Sequence, residues 1–206
     1  MKTLVVGATG ATGRLLVEQL LHRGQEVVAI VRSPDKMPEH LRGAENLSIV
    51  EGAALDLSDE ELARHVQGCD AVASCLGHTL SFGGVYGKPR KLVTDTARRL
   101  CEAIKQLDPD KQTKFVLMNT AGNSNRDLEE PISFGQKCVI GLLRLLLPPH
   151  VDNEKAADYL RTEIGSDDPK IEWSVVRPDN LIDEEKVTPY KLHPSPTRSA
   201  IFDAGK

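Results

Sequence analysis

The chain predicts one α/β domain built on a doubly wound parallel sheet with strand order 3-2-1-4-5-6. Three observations carry that expectation. Residues 2–13 read KTLVVGATGATG, a short apolar run ending in glycines three apart, Gly7, Gly10 and Gly13, with a helical pattern directly after them. Strand-like and helix-like patterns then alternate along the first half of the chain, which implies βαβ units. Hydrophobic residues make up 40% of the chain but aromatics only 4%, the balance of a sheet built from Val, Leu and Ile.

The elements follow in order. Leu4-Val5-Val6 is a buried strand within Thr3–Val6, and Thr12–His22 is the first helix. Further strands are expected at Glu26–Val31, Leu47–Val50, Ala71–Leu76, Lys114–Asn119 and Ile171–Val176. Ser58 followed three residues later by Glu61 is a capping box that opens a helix to Gln67. From Arg90 to Leu107, the residues Val93, Ala97, Leu100, Ile104 and Leu107 share one face, as a sheet-covering helix requires. A helix from about Val151 to Ile164 precedes the sixth strand. Right-handed crossovers give the stated strand order and put the glycine turn at the switch point of a Rossmann-type crevice. Two stretches interrupt the rhythm: a glycine-rich, basic loop, 81–91, and a segment, 123–150, that holds a polar loop and an apolar helix Phe134–Leu147 stopped by Pro148-Pro149. Both follow the carboxyl end of a strand, where α/β proteins build substrate sites. Residues 184–206 read as an irregular tail, natural or cut from a longer region, at the end of a single domain 1–206.

Composition narrows the function classes. A formal net charge of −4 over 206 residues argues against nucleic acid as a partner. Cys69, Cys75, Cys101 and Cys138 lack C-x-x-C spacing, which reads as free thiols in a reducing cytoplasm and not as a metal site. A strand beginning almost at Met1 leaves no room for a leader, and CVIGLLRLLL is too short to span a bilayer.

Strand, glycine turn and helix together present backbone N–H groups and a helix N-terminus to a pyrophosphate. The nucleotide is read from the tip of strand two, Val31-Arg32-Ser33-Pro34, where the acid that would bind an NAD ribose is missing. Arg32 can pair with a 2′-phosphate, Ser33 can donate to it and Arg14 can join them, which favours NADP. Asp56, at the tip of strand three, suits either the adenine amine or a helix N-terminal charge.

GATGATGR, VRSP, ASCLGH, MNTAG, DNEKAADYLR and IEWSVVRPDNLID together resemble the atypical short-chain dehydrogenase/reductases, specifically the NmrA-like and flavin/biliverdin-reductase-like NAD(P)H-binding proteins. The resemblance covers nearly the whole chain. It implies a cytoplasmic Rossmann domain that binds NADP(H). The cofactor site expected from these readings is Gly7, Thr9, Gly10, Ala11, Thr12, Gly13, Arg14, Arg32, Ser33, Asp56, Leu57, Leu76, Gly77, Asn119, Thr120, Lys155 and Pro178. Lys155 and Thr120 are the expected catalytic groups.

The chain departs from the family's Tyr-x-x-x-Lys pattern. Lys155 matches the lysine, but Val151 stands where the tyrosine would be, and valine donates no proton. In MNTAG, Thr120 and Asn119 take the place of the expected serine, and Asp179 follows Arg177-Pro178 where the family has glycine. Three readings stay open. Tyr86, His150 or Tyr159 donates the proton; or the acceptor is a conjugated ring, such as a flavin or quinone, that takes its proton from water; or the chain is an NADP(H) sensor without turnover. Epimerase or dehydratase chemistry is disfavoured because it needs the tyrosine as base. The substrate is not legible, and an oligomer is compatible with everything read.

Overall fold

The computed structural model describes residues 1–78, 82–128, 130, 134–178, 181 and 187–194. Six strands, β1 (Lys2–Val6), β2 (Glu26–Val31), β3 (Leu47–Glu51), β4 (Ala71–Ser74), β5 (Thr113–Met118) and β6 (Ile171–Val176), form one sheet in the order β3-β2-β1-β4-β5-β6. Every adjacent pair is parallel. The expected sheet is therefore the observed one. Its register puts Val6 beside Ile30 and Ser74, and Leu117 beside Ser74 and Val175, so the carboxyl ends of the strands share one edge.

The helices are α1 (Ala11–His22), α2 (Glu39–Arg42), α3 (Asp59–Val66), α4 (Phe82–Tyr86), α5 (Leu92–Leu107), α6 (Phe134–Leu146) and α7 (Pro148–Tyr159). Two cores cover the two faces of the sheet. On one, Leu4, Val6, Val28, Ile30, Val72, Phe115 and Leu117 pack with α3, α5 and α7 residues such as Leu62, Leu100, Ile104 and Ala156. On the other, Val5, Val27, Ala29 and Val31 meet Val17 and Leu20 of α1. Alternating strand residues thus feed opposite layers, as the period of two requires. The capping box closes as expected: Glu61 N–H donates to Ser58 Oγ at 3.1 Å and Ser58 N–H to Glu61 Oε2 at 2.8 Å.

The structure corrects several boundaries. β4 stops at Ser74, two residues short of Leu76: Cys75 N–H still reaches Val6 O at 2.9 Å, but β1 then turns away at Gly7. The 81–91 loop contains α4 despite its two glycines. Pro148 and Pro149 open α7 and do not merely stop α6, because proline suits the first helical turn, where the N–H has no partner to lose. Beyond Tyr159, α7 passes into a π-helical turn, Leu160–Ile164, closed by Gly165 N–H on Leu160 O at 2.9 Å. Of the tail 184–206, only residues 187–194 are described, without a strand or helix; Ser81 and Asp179 also lie outside the described residues.

Candidate functional site

The glycine turn is a steric lock. Gly7 has φ +76°, and a Cβ there would lie 2.6 Å from the backbone carbonyl of Cys75. At Gly13 a Cβ would lie 2.1 Å from Gly7 O, so α1 reaches this close to the turn only with glycine there. Gly10 differs: its N–H donates to Gly7 O at 3.0 Å, and an added Cβ would meet only that oxygen, at 3.3 Å. Gly10 also N-caps α1 without a side-chain hydrogen bond, and no acidic residue stands in the first turn. Among the described residues the first amides of α1 therefore have no side-chain cap, and they carry the positive end of the helix dipole to the strand edge. Thr9, Thr12 and Arg14 flank this turn half-buried, and Ala11 is exposed.

At the tip of β2, Arg32 is exposed, and its guanidinium makes no hydrogen bond or ion pair with any described residue. Half-buried Ser33 caps the 3₁₀ turn Pro34–Lys36 through its carbonyl and leaves its hydroxyl uncommitted there. Asp56 is exposed and Leu57 half-buried in the turn after β3. That turn is held by a residue the sequence reading missed: Arg99 of α5 donates to Ala54 O at 2.8 Å, Leu57 O at 2.6 Å and Asp59 Oδ1 at 2.7 Å.

Leu76 and Gly77 leave β4 half-buried and exposed, respectively, and His78 follows them into a second missed feature. Asp152 of α7, its side chain 1% exposed, accepts from Val93 N–H and Thr94 N–H at 2.8 and 3.0 Å. These amides are in the first turn of α5, so Asp152 caps α5 from another helix. The same carboxylate holds His78 Nε2 at 2.8 Å, while Nδ1 of that ring lies 3.2 Å from Gly84 O in α4. One buried acid thereby joins the exit of β4 to α4, α5 and α7. The signal was present in DNEK, an aspartate on the inward face of a helix, but its partners lie far off in sequence.

Asn119 is buried at the end of β5. Its amide donates to Asn153 O at 3.0 Å, and its oxygen accepts from Thr120 N–H and Asn123 Nδ2. Thr120 Oγ accepts Gly122 N–H at 2.9 Å. A Cβ on Gly122 would lie 3.1 Å from Thr120 Oγ and 3.4 Å from His150 Cε1, so these three residues pack tightly against one another. His150 is buried, and burial, with Arg144 adding, holds its ring below the usual histidine range against the pull of Glu154. Its Nε2 lies 3.5 Å from Glu154 Oε1 without hydrogen-bond geometry. Glu154 is fixed in turn by Arg144, at 2.8 Å from both Nε and Nη2. Because the folded His150 prefers to be neutral, its contribution to stability is full above pH about 6.5 and is lost as pH falls towards its lowered value.

Lys155 is exposed on α7, and its ammonium meets no partner among the described residues. Pro178, half-buried after β6, accepts Ala121 N–H at 3.3 Å. The preceding Arg177 forms a nearly buried fork with Glu130, 2.7 Å from Nη2 to Oε1, and donates to Asn123 O at 2.7 Å. Two of the three candidate proton donors are otherwise engaged. Tyr86 donates to Leu146 O at 2.9 Å, and Tyr159 packs on the core, where burial pushes its hydroxyl far up. All four cysteines are free thiols, and burial pushes Cys75, beside the glycine turn, up to about 11. No described helix is long and apolar enough to cross a membrane.

Comparison with known proteins gives the family and supports the fold. A family model described as NAD(P)H-binding matches residues 7–200. Over 123 residues the chain is 28% identical to the uncharacterized protein YwnB of Bacillus subtilis, covering 60% of this chain and 49% of that one. The chain thus spans about half the length of that curated relative. Among solved structures, the oxidoreductase ylbE of Lactococcus lactis superposes with a TM-score of 0.62 at 22% identity, over 90% of this chain and 72% of its own. A Rossmann-fold NAD(P)-binding family protein from Shigella flexneri gives 0.57 at 22%, over 90% and 71%. The UDP-glucuronic acid 4-epimerase of Bacillus cereus, solved with UDP-glucuronic acid and NAD, gives 0.63 at 20%, over 86% and 56%.

Proposed function

The chain belongs to the NAD(P)H-binding family, and we propose that it is an oxidoreductase that uses NADPH to reduce a small conjugated acceptor such as a quinone or flavin. The observation that carries this reading is the lock at Gly7 and Gly13 in front of an α1 that, among the described residues, has no side-chain cap and no first-turn acid, which suits a pyrophosphate. The cofactor, when bound, supplies the hydride. The residues of this chain bind and orient it. Amides of Gly10–Gly13, with the Thr9 and Thr12 hydroxyls and Arg14, hold the pyrophosphate. Arg32 and Ser33 take the 2′-phosphate, which is why NADPH is preferred over NADH. Asp56 and Leu57 border the adenine, Leu76 and Gly77 the central phosphates and ribose, and Lys155 the nicotinamide ribose. Asn119, Thr120 and Pro178 line the nicotinamide end. Catalysis rests mainly on positioning.

The test is direct. Purified protein is mixed with NADPH and a panel of flavins, quinones and aldehydes, and the nicotinamide absorbance is followed. Oxidation with a quinone or flavin is the expected result. Tight NADPH binding with no turnover anywhere on the panel would overturn hydride transfer and leave an NADP(H) sensor. For the nucleotide, Arg32→Asp should lower the NADPH-to-NADH affinity ratio by roughly 10- to 100-fold, since it removes a charge-assisted contact worth about 1.5–3 kcal/mol. An unchanged ratio in a binding titration would remove the assignment to NADP.

A further inference from the structure

Helix α6 wears its apolar stripe on the outside. Cys138, Leu142, Leu145 and Leu146, spaced i, i+4, i+7 and i+8, share one side of the helix. All four are exposed, the leucines by 55%, 79% and 50%. The other side carries buried Ile140 and half-buried Leu143, and the charged Arg144 turns back to the Glu154 carboxylate of α7. Single exposed leucines are ordinary, but three on one stripe form a patch that marks an interaction site. The described part of the tail does not cover it, since Val187, Tyr190 and Leu192 are themselves exposed.

We propose that this stripe docks α6 flat on an anionic membrane surface, with the basic segment 88–91 against the lipid headgroups. Charge decides the occupant. The chain carries a net −4, yet neither residues 71–94 nor residues 131–151 contain an Asp or Glu. These two acid-free segments meet at the end of α6, where Tyr86 donates to Leu146 O at 2.9 Å. Behind that contact α4 is held in place, because Gly84 O lies 3.2 Å from the His78 ring that Asp152 fixes. Lys88, Arg90 and Lys91 follow Tyr86 within about 18 Å of extended chain. All three, and Lys137 on α6 itself, are exposed and make no hydrogen bond or ion pair with any described residue.

Leucines beside unpaired cations match a lipid surface: the acyl boundary takes the leucines and the phosphates take the cations. A second copy fits worse, because an isologous contact on the stripe would set these acid-free segments against each other. At 13 residues, α6 lies on the bilayer and does not cross it. The docking brings the bilayer beside α7, where Glu154 fastens Arg144 and Lys155 is the next residue. It goes beyond the oxidoreductase reading and does not depend on it.

The test uses the full chain without cofactor or acceptor. It is mixed with vesicles of phosphatidylcholine and phosphatidylglycerol in equal parts, or of phosphatidylcholine alone, and floated on a density gradient. The anionic vesicles should carry the protein up and the neutral ones should not. Leu145→Gln should lower the vesicle partition roughly 10- to 100-fold, the effect of one leucine withdrawn from the acyl boundary. Since Leu145 is an exposed residue, this variant should keep the wild-type denaturation midpoint. Lys88→Gln, Arg90→Gln and Lys91→Gln together should lower partition roughly 100-fold, about fivefold per charge. Added salt should weaken wild-type binding in the same direction. A polarity-sensitive dye on Cys138, the exposed thiol among the four, should shift to the blue on anionic vesicles and not in Leu145→Gln. No flotation with anionic vesicles, equal flotation with neutral ones, or wild-type partition in Leu145→Gln overturns the proposal. So does a dimer in sedimentation velocity that Leu145→Gln splits while the vesicles stay empty. None of these readouts uses NADPH, so the oxidoreductase reading stands or falls by its own assay.

Discussion

Gly13→Ala should lose both cofactor binding and stability, whereas Gly10→Ala should lose binding almost alone. A Cβ at Gly13 meets Gly7 O at 2.1 Å and Gly7 C at 2.8 Å, backbone atoms that no side-chain rotation can move. Helix α1 must then lift away from the turn, at a cost of about 1–3 kcal/mol for overpacking. At Gly10 the methyl meets only Gly7 O, at 3.3 Å, and the residue already has φ −75°, which alanine adopts freely. Its cost to the fold is a poorer N-cap, under about 1 kcal/mol. The methyl nevertheless stands before the first amides of α1, so NADPH affinity should fall roughly 10- to 100-fold as one or more charge-assisted hydrogen bonds are lost. Chemical denaturation and NADPH titration of the two variants side by side check this. Equal losses of stability would mean that the two glycines do not divide the work as the geometry requires.

Asp152→Ala should be the most destabilising single change away from the glycine turn. It strips acceptors from two first-turn amides of α5 and from a His78 ring whose side chain is 7% exposed, while the Thr94 hydroxyl loses its 2.6 Å contact with the carboxylate but keeps the Asp152 carbonyl at 2.9 Å. Removing one partner of a buried, hydrogen-bonded pair costs about 3–5 kcal/mol because the remaining groups cannot return to water. Against a domain stability of about 5–15 kcal/mol, that is a fifth or more. Asp152→Asn should fall between, since its amide keeps one acceptor oxygen and turns a donor towards donors. A denaturation midpoint within about 1 kcal/mol of the wild type for Asp152→Ala would show that the junction is replaceable. NADPH affinity should weaken along with stability, because Lys155 is one helical turn along α7 from the residue that anchors that helix.

How much of this was legible in the sequence divides along a physical line. The sheet order follows from local signals, namely runs such as Leu4-Val5-Val6 and the capping box at Ser58, combined with the fixed hand of crossovers. That three glycines mark the turn before α1 follows from the strand–turn–helix grammar, whereas which of them meets Cys75 and which meets Gly7 O needed coordinates. In the sequence Pro148-Pro149 reads as a stop, because proline both ends one helix and opens the next and spacing does not separate the two roles. The junctions that build the site were not legible. His78 and Asp152 lie 74 residues apart, Arg177 and Glu130 47, and Arg99 reaches back 45 to Ala54. No periodicity pairs residues at such distances; only the fold brings them together. Tyr86 and Tyr159 show the converse: as sequence they offer hydroxyls, and in place one is bonded to Leu146 O and the other packed on the core.

The sheet order also dictates how the molecule is assembled. Each neighbouring pair of strands is parallel, and β1, the hub, takes β4 as its second partner, with Lys2 N–H on Asp70 Oδ2 across 68 residues. No two-residue hairpin can start such a sheet, so each pairing waits for a crossover to close and loses chain entropy before any contact rewards it. The glycine turn sits beside the longest of these closures, the 68 residues between Lys2 and Asp70, since Gly7 meets Cys75 only when β4 docks. The longest closure in the sheet is therefore also the one that completes the glycine turn, so the turn takes its final shape only after β1 and β4, far apart in sequence, have met.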